Sequence, residues 1–351
     1  NYPHHILKRK DCKILRNQDF LKSLNTLIID EVSMVNPNLM DAIDRSLKVN
    51  RKNDYPFGGV QMLLVGDIFQ LAPIAKDKEK EVLDRMYPEG NFFFNSKSFK
   101  ILNPKRIEFE RIFRQKDLDF IQKLENIRRN QLTNEVLNYF EQRVTGEQDL
   151  SDGLVLLAPT NKRTYAVNHK KLNSINSPEF SYLGKVTGSF KLSDMMSEKN
   201  LKLKVGAQIM LTKNDPSERW VNGTIGFVDK LEKDKIYVKV GRKVFQVEKV
   251  TWEKYDYFLK DNKFEPKVIG TFEQYPIRLS WAATIHKCQG QTFEKAIIDF
   301  DSGSFAHGMT YVALSRVKSI DGLHLIRPIR FSDVRFDKRI YKFQDSVELF
   351  H

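Results

Sequence analysis

The segment LIIDEVSM, Leu27 to Met34, brings two adjacent carboxylates to the end of a short apolar run. That pairing suits nucleoside triphosphate hydrolysis. One carboxylate holds Mg²⁺, usually through water, and the next orients or deprotonates the attacking water. Asp30 is assigned to the metal and Glu31 to the base. An isolated Asp-Glu is equally well two solvated acids at a strand end, so the other segments decide. VGDIFQLAPI, Val65 to Ile74, closes a second apolar run with a polar turn. In an open parallel sheet neighbouring strand ends face one ligand crevice. There the neutral amide of Gln70 can sense a γ-phosphate or the lytic water. Arg114 in FERIFRQ and Arg316 in YVALSRVKSIDGL add two guanidinium forks. Such forks suit the charge that develops on the oxygens of a transferring phosphoryl group.

WAATIHKCQGQTF, Trp281 to Phe293, mixes an aromatic, a His-Lys pair and a Gln-Gly turn. Gly290 lets backbone N–H groups approach a phosphate, with Gln289 beside it. Thr284, His286 and Lys287 are read either as contacts to nucleic-acid phosphates or as a relay between two ligands. No Cys or His stands at ligand spacing from His286 on the same element, which argues against a metal there.

These groups need elements to hold them. Leu24 to Asp30 and Gly59 to Asp67 read as buried parallel strands, with Leu39, Ile43 and Leu47 on one helical stripe between them. From Asp117 to Arg143 apolar residues recur at helical spacing, through Phe120, Ile121, Leu124 and Ile127. Gly153 to Pro159 starts another strand, followed by a helix with Tyr165, Val167 and Leu172. Between about 201 and 258 the texture changes to short alternating runs such as IYVKV and KVFQVEKV, separated by turns. That stretch predicts a small β-barrel inserted into the second α/β unit. From Thr271 onward α/β texture returns, with strands expected at KAIIDF and GLHLI.

At 351 residues the chain can form two or three domains. Its 58 Lys and Arg against 45 Asp and Glu leave a charge of +13. Such a surplus favours an anionic partner, although it serves equally well as a basic solvated surface. Cys12 and Cys288 are too few for a disulfide framework or a zinc site. No apolar run approaches the roughly 18 residues of a membrane span, so no membrane partner is expected.

Taken in order, LIIDEVSM, PFGGVQMLLVGDIFQLAPI, FFFNSKSF, IFRQKD, VLLAPTNKRTYAVN, VGAQIMLTKND with WVNGTIG, WAATIHKCQGQTF and SFAHGMTYVALSRVKSIDGL resemble the Pif-type, RecD-like branch of superfamily-one DNA helicases. The resemblance runs from about residue 20 to about 330 and is nearest to bacterial members. It implies an α/β architecture of two RecA-like lobes, the first lacking its amino-terminal part, with an inserted SH3-like β-barrel. The expected division is 1–104 for the first lobe, 105–200 and 269–351 for the second, and 201–268 for the insert. ATP and Mg²⁺ would lie between the lobes, and single-stranded DNA would run across the top of a 5′-to-3′ motor. By position the resemblance makes Asp30 and Glu31 the Walker B pair and Gln70, Arg114 and Arg316 the γ-phosphate contacts. It places Gly290 at the nucleotide, and Thr160, Asn161, Thr284, His286 and Lys287 on the DNA. It further implies a monomeric motor on single-stranded and forked DNA, with work in replication, repair or telomere maintenance. The compartment would be the cytoplasm and nucleoid of a bacterium, or the nucleus or mitochondrion of a eukaryote.

Three features depart from the pattern. None of the 17 glycines opens G-x-x-x-x-G-K-[ST], and the one Gly-Lys, Gly184–Lys185, is followed by Val186. In the family that phosphate cradle precedes the Walker B strand, so it is expected upstream of Asn1, and the 351 residues alone are expected not to hydrolyse ATP. Cys288 stands where Ser is usual and Ala72 where Pro is usual. The competing reading is a non-catalytic DNA-binding scaffold of helicase shape. A third is a RecD-like subunit or relaxase-linked module within a larger assembly.

Overall fold

The computed structural model describes residues 6–8, 11–15, 18–73, 75, 77–109, 111–146, 153–190, 195–260, 263–301 and 303–345. Thr26–Ile29 forms a strand that pairs in parallel with Gln61–Leu64, Thr26 opposite Gln61 and Ile29 opposite Leu64. The Pro37–Arg51 helix crosses between them. Its start is set by Asn36, whose side chain accepts from Leu39 N–H, and by Pro37 in the first turn, where a missing N–H costs nothing. Met40 and Leu47 on this helix meet Phe57, Phe93 and Phe94 in one cluster, against which Leu27, Ile29, Met62 and Leu64 pack. The alternate face of the two strands is exposed, with Ile28 61% and Leu63 49% accessible. The sequence predicts strands buried on both faces. Here the helix and the phenylalanines cover one face only.

The second α/β unit is organised around Val155–Ala158, whose four residues are all buried. It lies second in a four-stranded parallel sheet ordered 282–284, 155–158, 296–298, 323–325. The single helix suggested by the 117–143 periodicity is two helices, Leu118–Arg128 and Asn134–Glu141. Asn130 turns left-handed between them, and Thr133 caps the second by accepting from Val136 N–H. Phe120, Leu124, Ile127 and Phe140 join Val155, Leu157, Ile298, Val312 and Leu314 in the core of this lobe.

The β insert is antiparallel and reaches beyond 201–268. A five-stranded sheet is ordered 243–247, 236–240, 225–231, 208–211, 277–279. Phe180–Leu183 pairs with Asn200–Leu203, and Lys185–Gly188 pairs with the far strand of the Val250–Lys260/Lys263–Gln274 hairpin. Strand pairing therefore carries the insert from 180 to 279. The alternating runs between 201 and 258 showed only its middle. The chain's last described helix, Arg339–Asp345, leaves the second lobe. Ile340 is fully buried in the first-lobe cluster with Phe336, Tyr341 and Phe343 around it, and Phe343 stacks on Phe94 at 4.1 Å. Residues 336–345, grouped by sequence with the second lobe, thus pack into the first. Among the described residues no helix is long and apolar enough to cross a membrane.

Candidate nucleotide and nucleic-acid site

Asp30 and Glu31 follow the first strand directly. Val32 N–H donates to Val65 O and Val65 N–H to Ile29 O, at 3.0 and 2.9 Å, so the two strand ends stay zipped together. A side chain at Gly66 would come within 2.9 Å of Val32 N, which explains glycine there. Glu31 itself adopts a left-handed backbone, φ 50° and ψ 44°. That conformation is costly for a residue with a β-carbon, and it collects at functional positions. Asp30 Oδ1 accepts from Glu31 N–H at 2.9 Å.

Gln289 reaches across from the second lobe and its Nε2 donates to Glu31 Oε2 at 2.7 Å. Gly290, at φ 77°, brings its backbone so close that a β-carbon would sit 3.9 Å from Glu31 Oε1. The structure therefore brings together Glu31, Gln289 and Gly290, which lie 258 and 259 residues apart in sequence. Gln70 lies on the adjacent turn and its Nε2 donates to Asp67 Oδ2 at 3.4 Å.

The two arginines sit side by side. Arg114 is half-buried and donates to Thr292 Oγ1 at 3.0 Å and to Ser315 O at 3.3 Å. Arg316 is only 1% exposed and donates to Val312 O, Gln291 O and Ser315 Oγ at 2.7, 3.2 and 2.8 Å. Burial, and then Arg114 beside it, lower the Arg316 pKa to about 10, while Glu31 acts in the opposite direction. Among the described residues neither guanidinium has a carboxylate within 4.0 Å. Three of the five N–H groups of Arg316 are spent inside its own lobe, so it presents at most part of its fork to a ligand. A cavity of about 580 Å³ adjoins Arg114, lined also by Phe113, Glu125, Tyr311 and Lys318.

The residues read as nucleic-acid contacts occupy two helix starts. Thr160 caps the Asn161–Ser174 helix, its hydroxyl accepting from Arg163 N–H, and both Thr160 and Asn161 are exposed. Asn168 on that helix grips Ala282 through both its main-chain groups, at 2.8 and 2.9 Å. Thr284 is buried and caps a single 3-10 turn by accepting from Lys287 N–H. Its hydroxyl serves its own backbone, while Lys287 is exposed. His286 Nε2 is buried with no partner among the described residues, and burial lowers the ring's pKa. Two aromatics escaped the sequence reading. Phe305, 54% exposed, stacks on His286 with centroids 6.1 Å apart, and Tyr165, 63% exposed, packs on His169 at 4.0 Å. Tyr165 looked like part of an apolar helix stripe, and its outward direction is a tertiary fact. Cys288 is fully buried and burial pushes its thiol up to about 11, so it acts as a neutral core side chain.

The donor set fits a Mg-nucleotide. Asp30 keeps Oδ2 without a hydrogen bond among the described residues, next in sequence to Glu31, whose charge acts on Arg316. The described residues contain no cluster of three or more metal-ligating side chains. A magnesium here would be held by Asp30 through water, with phosphate oxygens completing its shell.

Comparison with known proteins decides the family. The family model described as PIF1-like helicase matches residues 2–138, and that of the DNA helicase Pif1 2B domain matches residues 190–231. The structure of Bacteroides sp. Pif1 in complex with ADP-AlF4 superimposes with a TM-score of 0.86 at 33% identity, over 99% of this chain and 80% of that one. The chain belongs to the PIF1-like helicases. It is also 28% identical to the ATP-dependent DNA helicase Pif1 of Campylobacter jejuni, over 98% of this chain and 78% of that protein. It is 29% identical to the yeast ATP-dependent DNA helicase RRM3 over 96% of its length, spanning 56% of that longer protein. Bacteroides Pif1 bound to single-stranded DNA matches with a TM-score of 0.69 at 35% identity, over 94% of this chain and 76% of that one. As a PIF1-like helicase the chain is a DNA helicase built on two RecA-like lobes.

Proposed function

We propose that the chain forms most of the motor of a helicase that moves 5′-to-3′ on single-stranded DNA and unwinds forked duplexes as a monomer, driven by ATP and Mg²⁺. The observation that carries the proposal is the bond from Gln289 to Glu31, which joins the lobes beside two guanidiniums lacking carboxylates. An anion arriving there stabilises the Arg316 cation, which burial has made costly. Glu31 orients and deprotonates the attacking water, and Gln289 holds its carboxylate in place. Asp30 would hold the Mg²⁺ through water, Gln70 would read the γ-phosphate, and Arg114 and Arg316 would take up charge on the transferring group. Bound Mg²⁺ neutralises phosphate charge. Thr160, Asn161 and Lys287 contact the DNA backbone, while the exposed rings of Phe305 and Tyr165 stack bases. We assign residues 1–104 to the first lobe, 105–200 with 269–351 to the second, and 201–268 to an SH3-like insert. Strand pairing over 180–279 and the packing of 336–343 on the first-lobe cluster extend these spans at their edges.

The 351 residues contain no G-x-x-x-x-G-K-[ST] segment, so the activity is assigned to the full-length natural protein. The test is ATP hydrolysis by that protein with and without single-stranded DNA, beside Glu31→Gln. Stimulated turnover that Glu31→Gln abolishes, with DNA binding retained, is expected. DNA binding with no turnover in the wild type would put a non-catalytic scaffold in its place.

A further inference from the structure

The geometry points to Arg128 as a positioning residue for Gln70, through which the second lobe aims the amide used in hydrolysis. This rests on the hydrolysis reading above. Arg128 ends the Leu118–Arg128 helix, whose Phe120, Leu124 and Ile127 lie in the core of the second lobe. Its guanidinium reaches the turn of the first lobe and donates to Asp67 twice, Nη2 to Oδ1 at 2.9 Å and Nε to Oδ2 at 3.3 Å. Asp67 Oδ2 is also the acceptor for Gln70 Nε2. One carboxylate thus receives both the second lobe's cation and the amide of Gln70. The pair is shielded, with side-chain exposures of 16% and 20%.

The rest of the turn is gripped from the same side. The Arg128 guanidinium lies over the buried ring of Phe69 at 4.3 Å. Leu71 is fully buried in the second-lobe core, although it belongs to the first lobe's turn. At Gly308, φ 72°, an added β-carbon would lie 2.4 Å from both Phe69 O and Gln70 O. His307 Nε2 reaches Ile68 O at 3.3 Å. With the turn's backbone fixed by these contacts, the freedom left to Gln70 is its side-chain rotation; Asp67 limits that through Oδ2, the oxygen held by Arg128 Nε, while Oδ1 also accepts from Phe69 N–H at 3.0 Å. Arg128 is engaged by two carboxylates, Asp67 and Glu125, the latter accepting from Nη1 at 3.0 Å, whereas Arg114 and Arg316 donate only to hydroxyls and carbonyls among the described residues.

The test uses the full-length protein and compares wild type, Arg128→Met, Arg128→Lys, Gln70→Ala and the Gln70→Ala/Arg128→Met double variant. DNA-stimulated ATPase kcat and KM and thermal melting are read for each. Arg128→Met is expected to lower kcat roughly 10- to 100-fold, the scale of a misplaced catalytic group. KM for ATP should stay within about twofold, and Arg128→Lys should recover part of the rate. In the Gln70→Ala background Arg128→Met should cost little more, because the two substitutions remove one function. Losses that multiply in the double variant, or that track only the folded fraction, would overturn the assignment. A wild type without DNA-stimulated turnover sinks the hydrolysis reading itself, whereas wild-type turnover with multiplying losses sinks only the role of Arg128.

Discussion

Arg316 carries its charge where almost no water reaches it, held by two carbonyls and a hydroxyl and by no carboxylate among the described residues. Such a cation is destabilising until an anion arrives, which makes it a better mark of a phosphate site than an exposed arginine. Phe305 is the opposite case, an apolar ring left in solvent beside a half-buried histidine. Stacking one base on such a ring contributes about 1–3 kcal/mol. Phe305→Ala should therefore weaken single-stranded DNA binding about tenfold or more, with the slope of affinity against salt unchanged because no phosphate contact is lost. Anisotropy titrations at several salt concentrations would read both quantities. An unchanged affinity removes Phe305 from the DNA path.

At the scale of elements, the turn after Gln61–Leu64 and the loop before the Met309–Leu314 helix are interlocked. His307 illustrates how closely. Its Nδ1 accepts from Asp337 N–H at 3.2 Å, which leaves Nε2 to donate to Ile68 O, so the buried ring is neutral. Burial holds its pKa below the ordinary 6.5, although the bond to Ile68 and the charges of Asp337 and Asp67 act the other way. The unfolded chain then takes up the proton at higher pH than the folded one. The stabilising contribution is complete above 6.5 and is lost as pH falls through the lower folded value. Melting temperature should thus decline as pH drops below about 6.5, and His307→Gln should remove part of that decline. The part due to His286, also lowered by burial, should remain. A pH profile identical in wild type and variant would show that His307 does not titrate in this range.

Across the whole molecule, the chain crosses between lobes more often than its motif order suggests. Residues 336–343 pack into the first lobe, and Ile340 is fully buried in that core. Ile340→Ala should cost about 2–4 kcal/mol by cavity formation. Hydrogen exchange should show the loss in residues 37–51 and 92–102, with the 155–158 strand unaffected. Equal loss of protection in both lobes would mean that they unfold as one unit.

The carboxylate pair, the two apolar strand runs and the antiparallel texture of 225–247 could be read from residue types and periods, because those patterns are local. Helix and strand periodicity depend on neighbours within a few positions. The break at Asn130 was hidden because apolar spacing continues across it while a single left-handed residue ends the helix. The pairing of the insert's outer strands and the packing of the last described helix left no local signal, because short strands and one-sided helices gain their stability from partners distant in sequence. Gln289 on Glu31, Arg128 on Asp67 and Phe305 in solvent are likewise tertiary facts. Sequence determined which chemistry the chain can carry. The tertiary structure decided which groups meet, because a contact across hundreds of residues leaves no periodic trace in the chain that makes it.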